Sequence, residues 1–168
     1  MWYNKLNFCK EASAMNKFYD FRVSRVRNAL ERETTKGWSF NDTINERYIM
    51  AINLGGIGEY DINGHMLKVV ENDVVLFPPR TTRKCATDEY APWHFISIGF
   101  DIEYREVSEL LVEDKPLVIH NVSRQIIDIF KKMINVWGIR SKFYQPLCCG
   151  YVQEILCHLM ELNEAVLY

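Results

Sequence analysis

Four histidines and five cysteines carry the most reactive side chains of this 168-residue chain. A catalytic zinc needs three protein ligands converging on one point, with a fourth position left open. His65 stands beside an Asn-Gly pair, His94 in a late apolar run, His120 in a linker and His158 near the end, so no HxH spacing occurs. Cys9, Cys85, Cys148, Cys149 and Cys157 contain no CxxC, and the adjacent Cys148-Cys149 pair needs distant partners to build a tetrahedral site. The role expected of these thiols is that of small buried hydrophobes. Acid–base chemistry needs two titratable groups within reach of one substrate. His94 with Tyr60, and Glu59 with His65, are the nearest candidates. Gly55-Gly56-Ile57-Gly58 is glycine-rich but joins two strand-like runs and opens no helix, which argues against a phosphate cradle. The expectation is a chain with no catalytic residues, no metal and no cofactor.

Binding is the chemistry the remaining residues suit. A small polar molecule needs apolar or aromatic walls and a few convergent hydrogen-bonding groups. Nine Phe, nine Tyr and four Trp could supply such walls, or equally a packed β core. Along Trp93–Phe100 side chains alternate across a strand, so Trp93, Phe95, Ser97 and Gly99 share one face, and His94, Ile96, Ile98 and Phe100 the other. Arg47 and Arg83 are the polar candidates: an inward guanidinium offers a fixed fork to vicinal hydroxyls or a carboxylate. Each also reads as a solvated arginine at a rim. Tyr60, Trp38 and Cys85 are further lining candidates, and Trp38 could instead plug the end of a barrel.

The elements that must position these residues fall into three stretches of one structural domain. Residues 1–45 read as an irregular arm with first strands. Residues 46–116 read as short strands. Arg47–Leu54 ends at Gly55-Gly56, and Gly58–Ile62 and His65–Val70 flank Asn63-Gly64, a strong hairpin signal because both turn positions tolerate positive φ. Val74–Phe77 is stopped by Pro78-Pro79, which cannot continue a central ladder. Thr82–Thr87 and Trp93–Phe100 follow. This close spacing predicts a sandwich or barrel. Residues 117–168 are helical: Ile126, Ile127, Phe130, Met133, Ile134 and Trp137 recur at helical spacing, Asn121 and Ser123 offer cap oxygens, and Gly138 offers a stop. After a break at Gln145-Pro146, Cys148, Val152, Ile155, Leu159, Leu162 and Val166 form a stripe. It packs either on the chain's own barrel or against a second copy, and Val152, Ile155, Leu159, Leu162 and Val166 are the candidate dimer contacts.

The run from Tyr48 to Phe100 resembles the cupin-like sensor domain of AraC-family transcription regulators. The resemblance rests on an ordered set: the Gly-ended strand, the Asn63-Gly64 hairpin, Asn72-Asp73, Leu76-Phe77-Pro78-Pro79, Pro92-Trp93 and Phe100. It continues through Leu117-Val118-Ile119 and the two helices, and covers about two-thirds of the chain. It implies a mainly β fold with α, a cupin-like (double-stranded β-helix, or jelly-roll) barrel followed by two antiparallel helices. It also implies effector sensing by the barrel, with Trp93, Phe95 and Ser97 facing its lumen, and a homodimer held by the helices. The implied effector is a carbohydrate or other polar metabolite. Many members carry an aromatic residue where Ser97 stands, a departure that favours a wider pocket or a different ligand. Cupin enzymes hold a metal on several His and a Glu, but the turn after Pro78-Pro79 here is Arg80-Thr81-Thr82-Arg83. The alternative to a sensor is therefore a metal-independent sugar isomerase or epimerase. Two helix-turn-helix units would follow Tyr168 in the resemblance, so DNA contact is expected only through a C-terminal half absent from this chain.

Net charge is −2, with 48% hydrophobic and 25% charged residues, the balance of a globular domain without the basic excess of a nucleic-acid binder. No apolar run approaches the roughly 18 residues that span a bilayer, and Met1-Trp2-Tyr3-Asn4-Lys5, lacking an apolar run, is not expected to begin a signal peptide. With its odd cysteine count, a reducing cytoplasm is the expected location.

Overall fold

The computed structural model describes residues 20–42, 46–104 and 115–166. Among the described residues, nine strands form two facing sheets. They are β1 (Phe21–Glu33), β2 (Ser39–Asp42), β3 (Tyr48–Gly55), β4 (Gly58–Ile62), β5 (His65–Val69), β6 (Val74–Phe77), β7 (Arg83–Thr87), β8 (His94–Tyr104) and β9 (Leu117–Ile119). One sheet runs β1-β8-β3-β6-β9 and the other β2-β7-β4-β5, all paired neighbours being antiparallel. Helices α1 (Arg124–Ile139) and α2 (Tyr144–Val166) pack on the outer face of the five-stranded sheet. Among the described residues this is the jelly-roll barrel followed by two helices that the family resemblance implies; the strand spacing alone predicts a sandwich or barrel.

Two cores result, one on each face of the larger sheet. Met50, Ile52, Ile96, Ile98 and Phe100 join Ile127, Phe130, Met133, Val152 and Ile155 under the helices. Ile49, Val75, Phe77, Phe95 and Trp93 join Tyr60 and Cys85 between the sheets. A strand covered on both faces reads as an unbroken apolar run. That is why Tyr48–Leu54 carries hydrophobes at nearly every position.

The turns follow their residue chemistry. Asn63 and Gly64 take φ of 53° and 83°, as an Asn-Gly hairpin requires. Gly56 at φ 68° has the Pro92 carbonyl oxygen where a Cβ would stand, at 1.9 Å, so no other residue fits. Asn53, only 2% exposed, locks this corner: its amide donates to the carbonyls of Gly56 (3.1 Å) and Val69 (3.2 Å), and its oxygen accepts from Gly55 N–H (2.8 Å).

Several expectations need correcting. The first stretch is not irregular over its described part: β1 is the longest strand, and β2 starts the smaller sheet. Two bulges, between Val23 and Arg25 and between Val26 and Asn28, put Val23 and Val26 on the helix face at a spacing of three, which hides the alternation. Gly138 does not end α1; the helix runs on to Ile139 and closes at Arg140, in left-handed conformation at φ 51°. Gln145-Pro146 does not separate the helices but sits in the first turn of α2, where a missing N–H costs nothing.

The α2 stripe is also corrected. Val152, Ile155 and Leu159 are at most 1% exposed, enclosed by the chain's own sheet and α1. They are not available to a second copy. Leu162 is exposed, and the Val166 side chain lies outside the described residues. Among the described residues, no helix is long and apolar enough to cross a membrane.

Candidate functional site

Alternation along three adjacent strands builds a wall between the sheets. Leu30 pairs with Ser97 and Ser97 with Ala51, while Arg32 pairs with Phe95. Ile49, Ala51, Phe95 and Ser97 therefore face inward together with Leu30 and Arg32 of β1. The opposite wall comes from the smaller sheet, where Phe40 and Tyr60 flank Cys85 and Arg83 lies two residues along. Phe77, Trp93, Trp38 and Ser39 complete a cavity of about 330 Å³. That volume is near the lower end of small-molecule sites.

Trp93 is the centre of the aromatic lining. Its ring centroid lies 4.2 Å from Phe95, 5.3 Å from Tyr60 and 6.1 Å from Trp38, the last two edge-on. The backbone around it is held by hydroxyls: its N–H lies 2.8 Å from Thr34 Oγ1 and 2.9 Å from Thr87 Oγ1, and those two oxygens are 2.9 Å apart. Two buried threonines thus fix the entry to β8, which makes the Trp93 ring a rigid wall. Its Nε1 is, among the described residues, the one buried side-chain nitrogen or oxygen with no hydrogen-bond partner.

Arg83 is 8% exposed and lays its guanidinium over the Phe77 ring at 4.7 Å. Arg32 is exposed and lies 5.7 Å from the Trp38 ring centroid. Burial pushes the Tyr60 phenol well above its ordinary range, the Cys85 thiol beside it adds to this, and the Arg83 guanidinium pulls partly back. Tyr60 therefore stays a neutral hydroxyl at any physiological pH.

The cavity brings together Arg83, Trp93, Phe95, Ser97, Tyr60, Trp38 and Cys85 from the sequence candidates. Arg47 is not among the lining residues. It precedes β3, crosses Gly99 and donates from Nη1 to the Asn28 side-chain oxygen at 2.9 Å. Leu30, Arg32, Ser39, Phe40, Ile49, Ala51 and Phe77 were not anticipated. Ile49 and Ala51 could have been found by extending the β8 alternation to its neighbour β3. The bulges of β1 leave no such signal for Leu30 and Arg32.

The acid–base pairs do not assemble. His94 turns away from the lumen to Glu31, at 2.8 Å, while Tyr60 faces inward. Glu59 lies opposite Lys68 in the β4–β5 hairpin and His65 opposite Ile62. Among the described residues, no three His, Cys, Asp or Glu side chains gather as a metal site.

The AraC-like ligand binding domain family model matches residues 29–139, spanning β1 to the end of α1. The chain belongs to this family. A curated relative, the Msm operon regulatory protein of Streptococcus mutans, is 35% identical over 65 residues, which are 39% of this chain and 23% of that protein. The match thus spans about a quarter of the relative's length. ToxT from Vibrio cholerae O395, solved bound to (E)-4-(8-methylnaphthalen-1-yl)but-3-enoic acid, has a similar fold at TM-score 0.51 and 12% identity, over 82% of this chain and 57% of that one. A cupin 2 conserved barrel domain protein from Salinispora arenicola overlaps 52% of this chain and 83% of its own at TM-score 0.41 and 17% identity. The chain is therefore an AraC-like ligand binding domain whose cavity lies between the two sheets.

Proposed function

We propose that this AraC-like domain is the effector-sensing module of a cytoplasmic transcription regulator, and that the effector occupies the cavity between the two sheets. The observation that carries this reading is the cavity itself: aromatic walls held by buried hydroxyls, with Arg83 and the unpartnered Trp93 N–H among its polar groups. Rigid apolar walls with a few placed polar groups are what a small-ligand site needs. The walls suit the C–H face of a sugar ring or another flat body. The role proposed is binding: His94 faces Glu31 while Tyr60 faces the lumen, so this acid–base pair does not meet on one substrate. DNA contact belongs to a helix-turn-helix half outside this chain, and the helical pair links the barrel to it.

Self-association is the second part of the proposal. With the α2 stripe enclosed, pairing of two copies falls to the outward side chains Ile139, Phe143, Leu147 and Leu162, all exposed on the helices and their connection.

The test is melting and tryptophan fluorescence of the chain across a panel of sugars and organic acids. A ligand at about 100 times its Kd should add about 2.7 kcal/mol. Trp38 and Trp93, both in the wall, should report it, and Trp93→Phe should weaken the response. A panel with no response would remove the reading.

A further inference from the structure

The cavity is unevenly shielded from solvent. Leu30 and Arg32 of β1 and Ser39 and Phe40 of β2 line it and are exposed, whereas Phe77, Cys85, Trp93 and Phe95 line it and are buried. Among the described residues, β1 is the end strand of the larger sheet and β2 the end strand of the smaller. The exposed side of the cavity thus falls at the seam between two sheet edges.

Trp38 stands at this seam. It is half-buried, with its ring centroid 6.1 Å from Trp93 and 5.8 Å from Phe95, and the Arg32 guanidinium lies over the same ring at 5.7 Å. Its backbone is tied on both sides: the N–H donates to the Thr35 carbonyl at 3.0 Å, and the carbonyl accepts from Thr87 N–H at 3.1 Å. With the backbone pinned, the ring moves by turning about its own side-chain bonds and takes no loop with it. The two tryptophans of the wall differ in this freedom. Trp93 is buried with the backbone of Gly58 against its indole, so it cannot turn without displacing main chain. Trp38 has the exposed Arg32 side chain over it, a contact that holds a ring in place only about two- to fivefold at such a site.

We propose that Trp38 is the gate of the cavity: its side chain closes the mouth between β1 and β2, Arg32 latches it, and small molecules pass when the ring turns outward. The use of such a gate rests on the cavity being the effector site, as argued above. Its test needs no effector, so either reading can fail without the other.

The experiment is alkylation of the intact chain with iodoacetamide, followed cysteine by cysteine by peptide mass spectrometry. Cys85 lies in the cavity wall and reports passage through the mouth, while Cys148, fully buried under the helices, reports unfolding. Comparing one thiol between variants cancels its own reactivity. Trp38→Ala should raise the Cys85 rate by about tenfold, since reagent no longer waits for a local opening, and leave Cys148 unchanged. Arg32→Ala should raise it about two- to fivefold, the strength of the latch. Val118→Ala, on β9 at the other end of the larger sheet and packed on the same inter-sheet core, should leave Cys85 as it was. An unchanged Cys85 rate in Trp38→Ala, or an equal rise in Val118→Ala, overturns the gate. If Cys148 labelling rises too in Trp38→Ala, that variant has loosened the whole fold and Arg32→Ala decides. A rise there at Cys85 alone upholds the gate, and no rise overturns it.

Discussion

Gly58 lies flat against the indole of Trp93: a Cβ at position 58 would stand 2.5 Å from Trp93 Cε2 and 2.7 Å from Cδ2 and Cζ2. Its φ is not the reason for glycine here; the ring needs the space. Gly58→Ala should force the indole toward the lumen, at a cost of about 1–3 kcal/mol. Denaturant titration checks the loss of stability. Shifted tryptophan emission and loss of ligand response in the folded variant check the loss of cavity. An alanine variant with unchanged emission and stability would show that the ring has another place to go.

Cys148 offers a pH test. It is fully buried under the helices, with its sulfur 3.9 Å from the Met133 carbonyl oxygen, and burial together with the neighbouring Cys149 pushes its thiol up to about 11 from an ordinary 9.0. A raised thiol pKa penalises the thiolate in the native state. Above about pH 9 the unfolded chain releases this proton first and binds fewer protons than the native one, so stability falls with pH. The contribution is fully present below about pH 9 and is lost as pH rises through about 11, by up to about 3 kcal/mol. Urea midpoints at about pH 8 and pH 10.5 measure the fall, and Cys148→Ala should make it shallower. Tyr60, raised for the same physical reason, adds to the fall at the alkaline end.

The edge of the larger sheet is closed by two side chains. Gln153 accepts from Val23 N–H at 2.8 Å and donates to the Phe21 carbonyl at 3.3 Å, and Gln145 donates to the Val26 carbonyl at 3.0 Å. These carboxamides of α2 stand where a neighbouring strand would, blunting an edge that could otherwise pair with another chain. The double variant Gln145→Ala, Gln153→Ala should lose about 1–3 kcal/mol. Amide exchange at Val23 should quicken, and aggregation on warming should increase. Unchanged exchange at Val23 would show that packing alone protects this edge.

Substitution on the helices separates pairing from folding. Phe143→Asp with Leu147→Glu changes two exposed side chains and should give a soluble monomer by sedimentation with an unchanged melting temperature. Leu159→Glu places a charge in an enclosed core and should unfold the domain instead. If the exposed pair leaves a dimer intact, the contact lies on the barrel.

How much of this was legible depended on local regularity. The hairpin at Asn63-Gly64, the stop at Pro78-Pro79 and the alternation from Trp93 are short-range signals, and each lands where it was read. Trp93, Phe95 and Ser97 face the lumen because one strand without a bulge obeys a period of two. β1 obeys it only in pieces, since its bulges shift Val23, Val26 and Leu30 between faces, and Arg32 of the same strand was missed. The α2 stripe was read correctly as apolar, but periodicity cannot say which partner an apolar face meets, and here the sheet had the prior claim.

The two faces of β3 and β8 carry separate duties. Ile49, Ala51, Phe95 and Ser97 touch the lumen, while Met50, Ile52, Ile96 and Ile98 touch the helices. Adjacent residues in the chain thus belong to different cores. Exchanging Ala51 or Ser97 for larger or differently polar side chains alters the room and chemistry offered to a guest without touching the layer that seats α1 and α2. Specificity in this barrel can drift one side chain at a time while the architecture stands still, which makes the lumenal set the place to redesign what the domain detects.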